Sequence, residues 1–240
     1  MSSAARTTTA GFFVTGTDTG IGKTFVTCAL LAALQQQGLC VAAMKPVSAG
    51  TETIGALEMN EDVARFQELT GHRYPLHAVN PYSLREAIAP HIAAAREGVD
   101  IQMGVIAIAF AALRERSDLV LVEGAGGFLV PLAGPHSMAD IPDALALPVI
   151  LVVGMRLGCL NHALLTVEAI RARGLTLAGW IANTPGAVMN AYAENLSTLK
   201  RLIDAPCLGE LPYHPGLSSD AARQCATYLD TEPLLKGNWK

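Results

Sequence analysis

Aromatic residues are scarce in this 240-residue chain, at 5%, and charged residues reach only 16%. Basic residues are not in excess: 17 Lys and Arg stand against 21 Asp and Glu, a formal charge of −4. Without a basic stripe the chain lacks the surface by which proteins bind nucleic acid irrespective of sequence, so no nucleic-acid partner is expected. Long apolar runs are missing as well. The longest, Leu145 to Met155, is cut by Pro148 and Gly154 and falls well short of the ~20 residues of a membrane span. No membrane association is expected. The five cysteines (Cys28, Cys40, Cys159, Cys207, Cys225) are odd in number and form no C-x-x-C pair. Most sit in apolar runs, as reduced core thiols do, which points to a cytoplasmic protein. The first ten residues lack the apolar core of a secretory signal and read as a disordered tail.

What the chain has is apolar residues, 51% of the total, with 22 Gly and 13 Pro. That content excludes a disordered chain, and area scaling gives roughly 70% burial, which suits one domain over residues 11–240. Short apolar runs recur between longer helical segments. The runs are continuous instead of alternating, the mark of strands covered on both faces of a mostly parallel sheet. The fold class is therefore α/β, with helices on both faces. Strands are expected at Phe12 to Thr15, Val41 to Met44, Leu119 to Val122, Val149 to Val153, Leu177 to Ala182 and near Leu208. Helices are expected from Lys23 to Gln37, stopped by Gly38, and from Glu61 to Thr70, between an Asn60 cap and Gly71. Others run from Ile101 to Arg116 behind Asp100, from an Asn161 cap to Arg173, and over roughly Val188 to Ile203.

The segment Gly16-Thr17-Asp18-Thr19-Gly20-Ile21-Gly22-Lys23-Thr24 lies between the first strand and the first helix. Phosphates are held by backbone N–H groups in a tight concave turn, which glycine permits, with a Lys for the terminal phosphates and a hydroxyl for magnesium. Gly22-Lys23-Thr24 supplies these parts. Gly16 stands six residues before Gly22, one more than in the standard phosphate loop, so the loop is a variant. Nucleotide triphosphate binding is expected.

A magnesium nucleotide site also needs a carboxylate at the end of a buried strand. Leu119-Val120-Leu121-Val122-Glu123 provides one, followed by Gly124-Ala125-Gly126-Gly127, which lets backbone approach a ligand. Lys45 closes the second strand and should emerge at the same sheet edge as Lys23, so an anionic substrate is expected. Asp62, in the first turn of a helix, reads equally as a dipole partner and as a ligand. The six His form no H-E-x-x-H, and no G-x-S-x-G elbow is present. The turn Gly158-Cys159-Leu160-Asn161-His162 opens a helix whose free N–H groups suit an anion; simple capping by Asn161 explains it as well.

Taken together, Gly16-Thr17-Asp18-Thr19 with Gly22-Lys23-Thr24, Lys45-Pro46-Val47, Asn80-Pro81-Tyr82, Pro90-His91, Val122 to Gly127, Gly158 to Ala163 and Gly179-Trp180-Ile181-Ala182-Asn183 resemble the dethiobiotin synthetases in nearly the whole chain. The resemblance implies a P-loop NTPase-like, ATP-dependent ligase. In that family 7,8-diaminononanoate takes up carbon dioxide as a carbamate, ATP phosphorylates it, and the second amine closes the ureido ring, giving dethiobiotin, ADP and phosphate. It further implies Lys23 and Lys45 as the catalytic cations and Mg²⁺ on Thr24, Asp62 and Glu123. ATP would lie against Gly20, Ile21, Gly22, Lys23, Thr24 and Phe25, beside Asp62 and Glu123 to Gly126, including Gly124 and Ala125. Asn183, Thr184, Pro212, Tyr213 and His214 would hold adenine. The substrate carboxylate would bind Gly158, Cys159 and Asn161 of a second subunit, which implies a homodimer.

Three positions depart from the family pattern. Gly20 stands where an acidic residue is common, and Ala89 where a Ser precedes Pro90-His91. Ala49 occupies a usual hydroxyl position, which leaves Ser48 as the candidate to hydrogen bond the diamine or carbamate. Two rivals keep the fold. A cobyrinate-type amidase would need a glutaminase domain for which there is no room, and a partition ATPase would carry a second Lys where Thr17 and Asp18 stand.

Overall fold

The computed structural model describes residues 9–216 and 218–237. The chain runs β1 (Gly11–Gly16), α1 (Lys23–Gln36), β2 (Val41–Met44), β3 (Val47–Ala49), β4 (Glu52–Ile54), β5 (Leu57–Met59), α2 (Glu61–Leu69), α3 (Leu76–Val79), β6 (Tyr82–Leu84), α4 (Pro90–Glu97), α5 (Met103–Arg114) and β7 (Leu119–Glu123). It continues through α6 (Asp140–Ala144), β8 (Val149–Gly154), α7 (Cys159–Ala172), β9 (Leu177–Asn183), α8 (Tyr192–Leu202), β10 (Cys207–Leu211), α9 (Ser219–Cys225) and α10 (Glu232–Lys236). No helix among the described residues is long and apolar enough to cross a membrane.

Six strands form one sheet in the order β10-β9-β8-β1-β7-β2, and every pairing in it is parallel. Parallel strands need crossovers, which bring helices over both faces and bury each strand twice over. Every residue of β1, β2, β7, β8 and β9 is accordingly buried, which is why their sequences read as continuous apolar runs. Phe12, Phe13 and Trp180 are fully buried in that core. The parallel register also sends the ends of β1, β2, β7, β9 and β10 to one edge, where open α/β sheets bind ligands.

Several helix starts differ from expectation. Helix α5 begins at Met103 behind Gln102, with no side-chain cap; Asp100 instead accepts a hydrogen bond from the Gln102 side chain at 3.0 Å. Helix α7 begins at Cys159, capped by Gly158 at φ 95°, so Asn161 lies inside the first turn and is not the cap. Helix α8 starts at Tyr192, after Ala191 at φ 54°, four residues later than Val188. Helix α2 follows its signals: the Asn60 side chain accepts from the Asp62 N–H at 3.1 Å, and Gly71 stops it at φ 62°. The pairs β3 with β6 and β4 with β5 were not anticipated. All five cysteines are free. The tail expected over residues 1–10 lies outside the described residues as far as residue 8; Thr9 already hydrogen bonds the carbonyl of Gly11 at 2.9 Å.

Candidate active site

The loop from Gly16 to Gly22 links β1 to α1 and lines a cleft of about 880 Å³ at the carboxyl edge of the sheet. Gly22 caps α1 at φ 81°, a left-handed conformation in which a side chain is strained. A Cβ there would also lie 2.4 Å from the Asn183 amide nitrogen, so this position admits only glycine. The capping turn leaves the first N–H groups of α1 facing the cleft, a ready anion site with the helix dipole behind it. Lys23 points its ammonium back across the loop and donates to the Asp18 carbonyl at 2.9 Å.

Four side chains from separate elements meet beside that loop. Thr24 comes from the first turn of α1, Lys45 from just past β2, Asp62 from the first turn of α2 and Glu123 from the last residue of β7. Thr24 donates to Glu123 Oε1 at 2.9 Å, and Lys45 donates to the same oxygen at 2.8 Å. Lys45 also pairs with Asp62. Glu123 is wholly buried, and its other oxygen, Oε2, has no hydrogen-bond partner. An unpartnered buried carboxylate oxygen calls for a cation. Two carboxylates and a hydroxyl suit Mg²⁺, a hard ion that takes oxygen ligands and keeps waters and phosphates for its remaining positions. No group of three His, Cys, Asp or Glu capable of holding a metal occurs among the described residues.

Burial pushes the Lys23 ammonium down to about 8, with the neighbouring Lys45 charge adding to it and Glu123 and Asp62 opposing. Burial works against the Lys45 charge too, but Glu123 and Asp62 outweigh it and raise Lys45 above the ordinary lysine range. Burial would raise Asp62, yet Lys45 holds it below the usual carboxylate range. Cys28, under the same site, is pushed up by burial and by the Glu123 charge, which leaves it an inert thiol.

At the far end of the cleft Asn183, the last residue of β9, donates its side-chain amide to the Ile21 carbonyl at 2.7 Å. Its Oδ1 is buried without a partner. Thr184 and the segment Pro212-Tyr213-His214, just past β10, complete that wall, with the His214 ring stacked on Phe25 at a centroid distance of 6.0 Å.

The cleft thus gathers Gly20, Gly22, Lys23, Thr24, Phe25, Lys45, Asp62, Glu123, Ala125, Gly126, Asn183, Thr184 and residues 212–214. Other expected residues lie off it. Ile21 is fully buried and packs on Gly154, and Gly124 is closed in by Phe13 and Met138. Ser48 is a correction: it is fully buried and donates to Asn80 Oδ1 at 3.0 Å, so Ala49, next along β3, takes the cleft face. Gly158, Cys159 and Asn161 line no part of this cleft. Arg65 and the run Ala87 to Pro90 do line it; of these the sequence marks Ala89 as a departure from the family pattern and Pro90 as part of a family motif, and gives no sign of Arg65, Ala87 or Ile88. Arg65 had no motif to mark it, whereas Ala89-Pro90 carried the family likeness without revealing which way the segment faced.

A family model described as an AAA domain matches residues 10–221. The ATP-dependent dethiobiotin synthetase BioD of Aromatoleum aromaticum is 53% identical over 216 residues, 90% of this chain and 95% of that protein. That of Ralstonia nicotianae is 48% identical over 223 residues, 93% and 96% of the two chains. Among solved structures, a ParA family ATPase from Chlorobium tepidum matches with a TM-score of 0.53 at 13% identity, covering 96% of this chain and 93% of that one. The septum site-determining protein MinD complexed with Mg-ADP, from Pyrococcus horikoshii, matches with 0.52 at 16% identity, covering 90% and 94%. These two likenesses concern the fold alone.

Proposed function

The chain belongs to the ATP-dependent dethiobiotin synthetases, ligases of biotin biosynthesis, and from that premise we propose how its residues divide the work. The reaction converts 7,8-diaminononanoate, carbon dioxide and ATP to dethiobiotin, ADP and phosphate. A carbamate is a poor electrophile until an oxygen carries a phosphoryl group; the second amine then attacks the carbonyl carbon and expels phosphate. The acceptor and the triphosphate are both anionic, so catalysis rests on positioning and on charge stabilisation.

In this reading the N–H groups of Gly20 to Phe25 cradle the phosphates. Lys23 and Lys45, both lining the cleft, stabilise charge on the transferring group and on the carbamate. Thr24, Asp62 and Glu123 hold Mg²⁺, which when bound neutralises charge on the phosphate oxygens. Asn183 Oδ1, left open by the bond to Ile21, accepts from the exocyclic amine of adenine, and Thr184 with Pro212, Tyr213 and His214 encloses the base. The observation that carries the reading is the cluster drawn from four separate elements beside the phosphate loop, in which Thr24 and Lys45 both donate to Glu123 and Lys45 also pairs with Asp62.

The start of α7 has no role in its own cleft, and Leu157 beside it is 93% exposed. We assign Gly158, Cys159 and Asn161 to the substrate carboxylate of a second copy, in a homodimer whose sites span the interface. The free cysteines fit a cytoplasmic enzyme. Incubation with ¹³C-bicarbonate, diamine and MgATP tests the reading: dethiobiotin should carry the label in its ureido carbonyl. Unlabelled or absent product would refute it.

A further inference from the structure

Glu123 is fully buried, and a buried carboxylate must be compensated. The compensating group is the Lys45 ammonium, itself only 6% exposed. It donates to Glu123 Oε1 at 2.8 Å and bridges to Asp62, while Thr24 donates to the same Glu123 oxygen. One ammonium therefore engages the two carboxylates and neighbours the hydroxyl that the proposed function gives to magnesium. Like charges this close repel strongly in a partly desolvated site, and the lowered Lys23 already registers the Lys45 charge. Lys45 is thus committed to protein partners, as Lys23 is to the Asp18 carbonyl.

We infer that Lys45 is the stand-in cation of the metal site: it holds Asp62 and Glu123 while the cleft is empty, and is displaced from between them when the magnesium nucleotide binds. Displacement frees the ammonium for the carbamate, so the acceptor clamp is assembled only in the nucleotide-loaded enzyme. A carbamate arriving first meets a Lys45 already committed to two carboxylates. The inference rests on the metal assignment to Thr24, Asp62 and Glu123.

The test measures ADP binding by calorimetry in the full-length wild type, Lys45→Gln and Lys45→Arg, each with EDTA and with saturating magnesium. Removal of the competing ammonium should tighten magnesium-ADP binding by about tenfold in Lys45→Gln. ADP in EDTA should bind that variant no more tightly than wild type, since a cation near the phosphates is lost. A general electrostatic role for Lys45 would not tighten the magnesium complex. Unchanged or weaker magnesium-ADP binding by Lys45→Gln overturns the stand-in role. If magnesium fails to strengthen ADP binding even in the wild type, the metal assignment falls and the inference with it. Should Lys45→Gln not fold, Lys45→Arg decides: its planar fork grips both carboxylates, so magnesium ADP should bind several-fold more weakly, and equal or tighter binding overturns the proposal.

Discussion

Asn183 and Ile21 are tied by a 2.7 Å hydrogen bond from the side-chain amide of one to the backbone carbonyl of the other. This bond fixes which way the amide faces: the nitrogen is spent on the phosphate loop, and Oδ1 remains as a buried acceptor. Replacing Asn183 by Asp puts an acceptor against the Ile21 carbonyl. Such a loss of one buried bond with a charge left unpaired costs about 1–3 kcal/mol, so ATP affinity should fall about 10- to 100-fold. Equilibrium titration with a fluorescent ATP analogue checks this, and unchanged affinity would separate Asn183 from the base site.

Lys23 governs the pH dependence of nucleotide binding. In the empty protein burial lowers it to about 8, and contact with phosphate favours the ammonium, so its value rises on binding. Above pH 8 binding must therefore take up a proton, and affinity falls as pH rises; below that value it is flat with respect to this group. Calorimetric titrations of ADP in two buffers of different ionisation enthalpy, at pH 7 and pH 9, should reveal uptake only at the higher pH.

Lys45→Gln is expected to bind MgATP no more weakly than the wild type and yet to cut turnover by about a hundredfold or more, as loss of one charge-stabilising group does. Single-turnover phosphate release alongside ATP affinity distinguishes this from a binding defect. Equal loss of both would remove Lys45 from the transition state.

Glu123→Gln leaves the site one negative charge short. The magnesium concentration giving half-maximal phosphate release should rise by about tenfold, and an unchanged magnesium requirement would strike Glu123 from the ligands.

Much of the sheet is legible in the sequence because its strands are buried on both faces, so each is a short unbroken apolar run closed by Gly or a polar residue. Glu123 and Lys45 could be placed at the ligand edge on that ground alone. The segment Pro212 to His214 could not: it has no motif of its own and reaches the cleft because β10 pairs in parallel with β9. Helix starts were missed where the cap is backbone conformation instead of a side chain, as at Gly158. Ser48 went astray through strand alternation. Successive side chains of a strand face opposite ways, and in three-residue β3 that parity sends Ser48 to Asn80 and Ala49 to the cleft. No periodicity survives in so short a strand to show which residue faces in.

The most direct measurement is phosphate release from MgATP and bicarbonate, with and without 7,8-diaminononanoate, with dethiobiotin followed by mass in the same samples. The account predicts that release requires the diamine and that each phosphate is matched by one dethiobiotin. Release indifferent to the diamine would contradict it, leaving a nucleotide hydrolase on this fold.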